Sequence, residues 1–449
     1  MKRICDGESN VIFPGNPNYF VTTTGTTSKS KLIPIFLTKP GISYPRSYLL
    51  PLMRKEIIYH MCFGRIVYFV KRGDIKEING IECSNGITRQ IANALSNRLM
   101  THLITRSSAS PFPVYMNEIK LYPVMDLHII YALLDPNISA IGGYFTRSIL
   151  EQFDKIIHEK DKFCKGIETG QYNTGFDIYE FGADPDRAKE LREILKDSHQ
   201  TNKVQGIIKK IWPKLTLITC GKSAAFNLYG PRLDFYTGNI PIYSSVCAST
   251  EMTFGINLGN LNDDSYHFDN RFGVIHQDES LWYADKYLRL VVTTKNGLVK
   301  YLINDLITIN DDNTFTCEGR FTFYEETGIT EREFAQLIIK HLGIFTHDAL
   351  LVDNGNSLEL YCEHYPENEH TRAYFDKIIT NIANAMHTLI KKPVLKFSYV
   401  NKGTFRKLLD QIELDHEEDF VSISREQIKL PRLLKKNSHL VPIIHENIY

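Results

Sequence analysis

The stretch from Leu288 to Ile303 constrains the fold most. Leu288, Leu290 and Val292 alternate with Arg289 and Val291, Asn296-Gly297 follows, and Val299, Tyr301 and Ile303 alternate back. A period of two buries one face of a strand, and Asn-Gly tolerates the positive φ of a tight hairpin turn. An antiparallel hairpin is therefore predicted. Helical and strand patterns interleave along the rest of the chain, which gives an α/β class with more than one sheet.

Upstream, Arg65-Ile-Val-Tyr-Phe-Val70 reads as a strand, and from about 86 to 160 the pattern is helical. Ile141, Phe145, Ile149, Phe153, Ile156 and Ile157 fall at helical spacing within Ile138–Lys160. Asp184-Pro185 opens another helix, with Asp as N-cap and Pro in the first turn. Trp212-Pro213 ends a helix, and Leu215–Cys220 reads as a buried strand. Past Thr316 the order becomes a helix from Glu331 to Leu342, strands near Leu350–Asp353 and Leu358–Cys362, a helix at about 370–390, and a strand Val394–Val400. That order describes a small α+β unit of ferredoxin-like kind. A boundary is placed near 317–322, giving a large mixed α/β domain over 1–317 and a small domain over 318–449.

At 449 residues the chain suits two or three domains. Lys+Arg and Asp+Glu both number 52, so the basic excess of a nucleic-acid binder is missing. The eight cysteines are scattered without a CxxC pair, which argues for reduced, mostly buried thiols rather than a zinc ribbon or a disulfide framework. No apolar run follows Lys2 and Arg3 as in a leader, and no segment nears the ~18 apolar residues of a membrane span. A cytoplasmic, monomeric protein that engages neither nucleic acid nor membrane is expected.

Four segments carry candidate chemistry. Thr22-Thr-Thr-Gly-Thr-Thr-Ser-Lys-Ser-Lys31 packs hydroxyls, a turn-permitting Gly25 and two lysines into one loop. Such a loop either wraps phosphate oxygens or is a solvated polar turn. It is not a Walker A loop, and Gly221-Lys222-Ser223 also lacks that spacing, Thr216 standing where the first glycine belongs. Cys247-Ala-Ser-Thr-Glu-Met-Thr-Phe-Gly-Ile-Asn-Leu258 offers Thr250 to a phosphate and Glu251 to a magnesium ion, or is a plain loop. Asp305, at the end of the hairpin's return strand, is either a ribose acceptor or a turn-starting acid. Lys429, in Gln427-Ile-Lys-Leu-Pro-Arg432, is either a mobile cation or part of a basic tail.

Taken in order, these segments resemble the acyl-acid amido synthetases of the adenylate-forming superfamily. TTTGTTSKSKLIP is similar to the SSGTT…K-x-IP phosphate loop, and 247–258 to the YASSE-x-x-FGINL motif. Gly297-Leu-Val-Lys-Tyr-Leu-Ile-Asn-Asp305 is similar to GLYRYRxGD, and Trp212-Pro213-Lys-Leu to the WP-x-L strand entry. The run from Pro113-Val-Tyr through Ile138–Leu150 resembles the central helical region. The resemblance covers nearly the whole chain from about residue 10.

It implies an N-terminal adenylation domain and a mobile C-terminal one. Thr23, Thr24, Gly25, Thr26, Thr27 and Lys31 would cradle the phosphates of ATP. Thr250 would contact the α-phosphate, Glu251 the Mg2+, and Asp305 the ribose. Arg320 would sit at the hinge, and Lys429 would face the reacting phosphorus. The implied substrates are a small carboxylic acid and an amine, an amino acid being expected.

Several positions depart from the pattern. Cys247 replaces a Tyr, Val299, Lys300, Leu302 and Asn304 replace most of the third motif, and Phe272-Gly-Val-Ile275 stands in for an acidic stretch. The chain also starts close to the phosphate loop, which suggests a short variant, a misplaced start or a reduced acyl pocket. Two further readings therefore stay open: a non-catalytic nucleotide- or acyl-binding relative, and an adenylating ligase that hands its acyl group to a thiol.

Overall fold

The computed structural model describes residues 2–23, 31–36, 54–96, 98–116, 118, 123–174, 177–198, 204–259, 261–270, 273–295, 297–342, 348–363, 381, 391–416 and 427–448. Thr24, Gly25, Thr26, Thr27, Phe272, Asn296 and, apart from residue 381, the helix expected at about 370–390 lie outside them.

Four parallel strands, in the order Ile242–Tyr243, Leu217–Gly221, Ile138–Phe145, Arg65–Phe69, form the central sheet. This corrects the sequence reading of Ile138–Lys160 as helical throughout. Its first eight residues are a strand, and the helix runs only over Thr146–His158. A strand buried on both faces has no polar alternation, so its apolar run passes for a helix. Gly142 and Gly143 permit the close packing there. A Cβ on Gly142 would meet Tyr68 Cδ1 at 2.8 Å, and one on Gly143 would meet Ile149 Cγ1 at 2.6 Å.

Other local expectations match. Asp184 accepts a hydrogen bond from the Arg187 N–H at 2.9 Å, capping the helix Pro185–Leu195. Trp212 closes the helix Ile207–Ile211, and its buried indole donates to the Ala132 carbonyl at 2.8 Å. Lys222 donates to the Asn262 carbonyl.

A second sheet has the order Leu32–Ile35, Tyr19–Thr22, Ile81–Asn85, Lys76–Ile78, the middle pair parallel. The hairpin of Tyr287–Thr294 with Tyr301–Ile309 lies in an eight-stranded sheet. Gly297 has φ +93, and the register shifts once, between Arg289 and Val291. That sheet curls around Phe254, Tyr266 and Phe315. The strands Val246–Ala248 and Phe315–Arg320 are not neighbours in it, yet the Cα atoms of Cys247 and Cys317 are 7.2 Å apart and their sulfurs are bonded. This corrects the expectation of eight reduced thiols. The curl, invisible over 70 residues of sequence, brings the two together, and the other six are free.

Thr330 and Glu333 form a capping box at the start of the helix Glu331–Leu342, through bonds of 3.0 and 3.1 Å. Beyond it, a sheet has the order Val394–Val400, Leu358–Glu363, Asp348–Asp353, Leu433–Lys435, its central pair antiparallel and its outer pairs parallel. Leu351, Leu358 and Leu360 pack into the same apolar core as Phe334 and Ile338, which also holds Phe153 and Ile218. The short strand Leu433–Lys435 anchors the segment that carries Lys429.

Candidate active site

A cleft of about 1420 Å³ opens where these sheets meet. Thr23, Lys31, Thr250, Glu251, Asp305, Arg320 and Lys429 all line it. They come from positions spread over 407 residues of chain (from 23 to 429). Of the site residues expected from sequence, only the four outside the described residues are not placed there.

Thr23 and Lys31 stand side by side. The Thr23 N–H donates to the Lys31 carbonyl at 2.9 Å, and the Lys31 N–H donates to Thr23 Oγ1 at 2.8 Å. They extend the antiparallel pairing that ends at Thr22 and Leu32. The Lys31 ammonium then reaches across the cleft to donate to the Tyr301 hydroxyl at 3.2 Å. Tyr301 in turn donates to Glu251 Oε1 at 3.4 Å.

Thr250 and Glu251 occupy the connection between the antiparallel strands Val246–Ala248 and Thr253–Ile256. Their pairing is offset by a bulge between Cys247 and Ala248. Bulges re-aim neighbouring side chains, and here the turn faces the cleft.

Asp305 and Arg320 are register partners on adjacent strands, with Arg320 Nε 3.7 Å from Asp305 Oδ1. Asp305 is the main cause holding the Arg320 guanidinium above its usual pKa. The Arg320 N–H donates to Glu331 Oε2 at 3.3 Å. Gly319, at φ +117, makes room, because a Cβ there would lie 2.6 Å from Glu331.

The Lys429 ammonium sits 5.5 Å from the centroid of the Phe145 ring and 5.7 Å from that of Phe226. Those rings stack on each other with centroids 4.1 Å apart. Burial pushes the Lys429 pKa down, with the Arg320 charge adding to the effect and Asp305 and Glu331 opposing it. Burial also pushes the Glu331 carboxyl up, against Arg320, Arg432 and Lys429. The segment that positions Lys429 is tied down on both sides. Arg147 donates to the Ile428 carbonyl at 2.9 Å, and Gln427 to the Lys71 carbonyl at 3.2 Å. After Lys429, buried Arg432 bonds Asp348 and donates to the Tyr229 hydroxyl at 2.8 Å.

Glu331 and the Phe145–Phe226 stack escaped the sequence reading. Glu331 lies one residue past the Thr330 cap, where an acid is ordinary helix chemistry. Phe145 looked like helix core. Neither carried a signal of its own.

The arrangement suits a nucleoside triphosphate. Hydroxyls and a lysine stand at one wall, a carboxylate for hydroxyls at another, and a desolvated ammonium in the middle. Glu251 fits one Mg2+ ligand, since that ion commonly takes one or two carboxylates and completes its shell with phosphate oxygens and water. Among the described residues no group of three His, Cys, Asp or Glu stands ready to hold a metal by itself. No helix among them is long and apolar enough to cross a membrane.

The cleft lies between an α/β body and a small α+β sheet. Residues 1–242 match the GH3 family N-terminal domain, and the chain belongs to that family. It is 22% identical over 376 residues to the indole-3-acetic acid-amido synthetase GH3.17 of Arabidopsis thaliana, covering 72% of this chain and 60% of that relative. It is 25% identical over 353 residues to the indole-3-acetic acid-amido synthetase GH3.15 of Arabidopsis thaliana, covering 68% and 56%. The chain thus spans less than two thirds of the curated relatives it matches. The structure of the AtGH3.15 acyl acid amido synthetase in complex with 2,4-DB superposes on all of this chain and 85% of that one. The TM-score is 0.75 at 19% identity, which establishes the shared fold.

Proposed function

We propose that this protein is an ATP-dependent acyl-acid amido synthetase, a ligase that adenylates a small carboxylic acid and passes the acyl group to an amino acid. The observation that carries this reading is the convergence of Lys31, Glu251, Asp305 and Lys429 on one cleft from four separate stretches of sequence.

In the first half-reaction an oxygen of the acid attacks the α-phosphorus of ATP, forming the acyl-adenylate and releasing pyrophosphate. Lys429 and Thr250 neutralise and orient the α-phosphate, while Thr23 and Lys31, with Thr24, Gly25, Thr26 and Thr27, hold the departing phosphates. Asp305 accepts the ribose hydroxyls and is itself held by Arg320. Glu251 holds Mg2+, which screens phosphate charge when bound. In the second half-reaction the amine nitrogen attacks the acyl carbonyl, the C–O bond to AMP breaks, and the nitrogen loses a proton. No covalent enzyme intermediate is required.

The division at 1–317 and 318–449 belongs to the same reading. The small domain delivers Lys429 for adenylation and withdraws it for amide formation, in a cytoplasmic monomer. The tight docking of Gln427, Ile428 and Arg432 supports a conformation suited to the first step.

Acid-dependent exchange of pyrophosphate into ATP, screened over aliphatic and aromatic acids, tests the reading. Exchange with at least one acid is expected. ATP binding without exchange for any acid returns the chain to a non-catalytic relative, and a thioester product in place of an amide reassigns the acceptor.

A further inference from the structure

The proposed reaction leaves one group of donors in the cleft unused. Thr22, Asn85, Gly86 and Arg89 line it beside Thr23, where the strands Tyr19–Thr22 and Ile81–Asn85 run parallel and the helix Gly86–Leu95 begins. Asn85 Oδ1 accepts the Thr88 N–H at 2.8 Å and caps that helix, which points its positive end toward the cleft. Among the described residues, Asn85 Nδ2, Thr22 Oγ1 and both Nε and Nη2 of Arg89 are buried without a hydrogen-bond partner. Arg89 is only 8% exposed.

The pattern at Arg89 is specific. Its Nη1 donates to Glu82 Oε2 at 2.6 Å, on the side where Glu82 is half exposed. The central carbon of the guanidinium lies over the Tyr19 ring, 4.4 Å from its centroid. What has no partner is the buried edge carrying Nε and Nη2, the pair of parallel donors that matches the two oxygens of a carboxylate. An unpaired buried fork beside an unpaired amide is costly in the folded chain unless a ligand fills it.

Two carboxylates enter the proposed reaction. The acyl acid loses its charge when it is esterified to AMP, so a fork devoted to it would be stranded midway. The carboxylate of the amine acceptor survives unchanged into the amide product. We infer that Arg89, with Asn85 and Thr22, binds the carboxylate of an amino-acid acceptor and so selects amino acids over simple amines. This rests on the amide-forming reading above and deepens it.

The test uses the full chain, an acid found active in pyrophosphate exchange, and three acceptors: an amino acid, its carboxamide, and hydroxylamine, which captures the adenylate without any carboxylate. The variants are Arg89→Leu and Arg89→Lys. The wild type is expected to prefer the amino acid over its carboxamide. Arg89→Leu is expected to lower kcat/KM for the amino acid about 10-fold or more, chiefly through KM. Exchange and hydroxamate formation should stay within about 2-fold of wild type, which also shows that the variant folds. Arg89→Lys should recover part of the loss, since the charge returns without the fork. Equal use of amino acid and carboxamide by the wild type overturns the inference while leaving amide synthesis standing. So does a parallel fall of hydroxamate and amide formation in both variants. Absence of exchange in the wild type defeats the amido synthetase reading, and this inference with it.

Discussion

The ammonium of Lys31 donates a 3.2 Å hydrogen bond to the hydroxyl of Tyr301, 270 positions further along the chain. Because Tyr301 also donates to Glu251 at 3.4 Å, one phenol links Lys31 and Glu251 to the strand that carries Asp305. Lys31→Ala is expected to lower kcat/KM for ATP in pyrophosphate exchange about 10–100-fold, as loss of a charged phosphate donor does. Tyr301→Phe removes only the link, and a loss of about 3–10-fold is expected. If Lys31→Ala exchanges as well as wild type, Lys31 does not serve the phosphates.

Asp305 makes a separate prediction about the ribose. Asp305→Asn keeps the shape but halves the acceptor character and unbalances Arg320, 3.7 Å away. About a 10-fold rise in KM for ATP is expected, shrinking when ATP lacking both ribose hydroxyls is the substrate. An equal defect with both nucleotides places Asp305 elsewhere in the mechanism.

Much of the fold was legible because local chemistry and tertiary structure agree. The 288–303 alternation and the Asp184 cap each state their element within a few residues. Ile138–Phe145 was illegible for the opposite reason: in the middle of a parallel sheet, burial on both faces erases the period that separates strand from helix. The candidate site divides the same way. Loop hydroxyls, Glu251 and Asp305 sit in recognisable strings, whereas Glu331 gains its meaning only because Gly319 and Arg320 fold back against its helix. The Cys247–Cys317 contact and the free edge of Arg89 depend on sheet curvature and neighbouring strands, which no local string encodes.

Gly319→Ala tests that fold-back. The backbone at φ +117 disfavours any side chain, and the added Cβ would lie 2.6 Å from Glu331. A destabilisation of about 2–4 kcal/mol is expected from strain and clash together. Chemical denaturation with unchanged m-value would measure it, and a midpoint equal to wild type would show that the Gly319–Glu331 packing is not what holds the region.

Lys429 gives the adenylation step its expected pH dependence. In the proposed mechanism the ammonium form is the one that stabilises phosphate charge, so exchange is expected to require Lys429 protonated. Burial and the Arg320 charge push its pKa below the ordinary lysine range, against the pull of Asp305 and Glu331. As pH rises through that lowered value the proton is lost and exchange must fall. An alkaline limb in kcat/KM for ATP, reporting the free enzyme, is expected below the usual lysine range. Lys429→Arg should move the limb out of the measurable range while keeping part of the rate. Lys429→Ala should abolish the limb and cost about 100-fold or more in exchange. Its use of acyl-adenylate supplied from outside should suffer far less, because the second half-reaction needs no charge at the α-phosphorus. If Lys429→Arg leaves the limb where it was, another group titrates there, and the buried ammonium is not the one that faces the reacting phosphate.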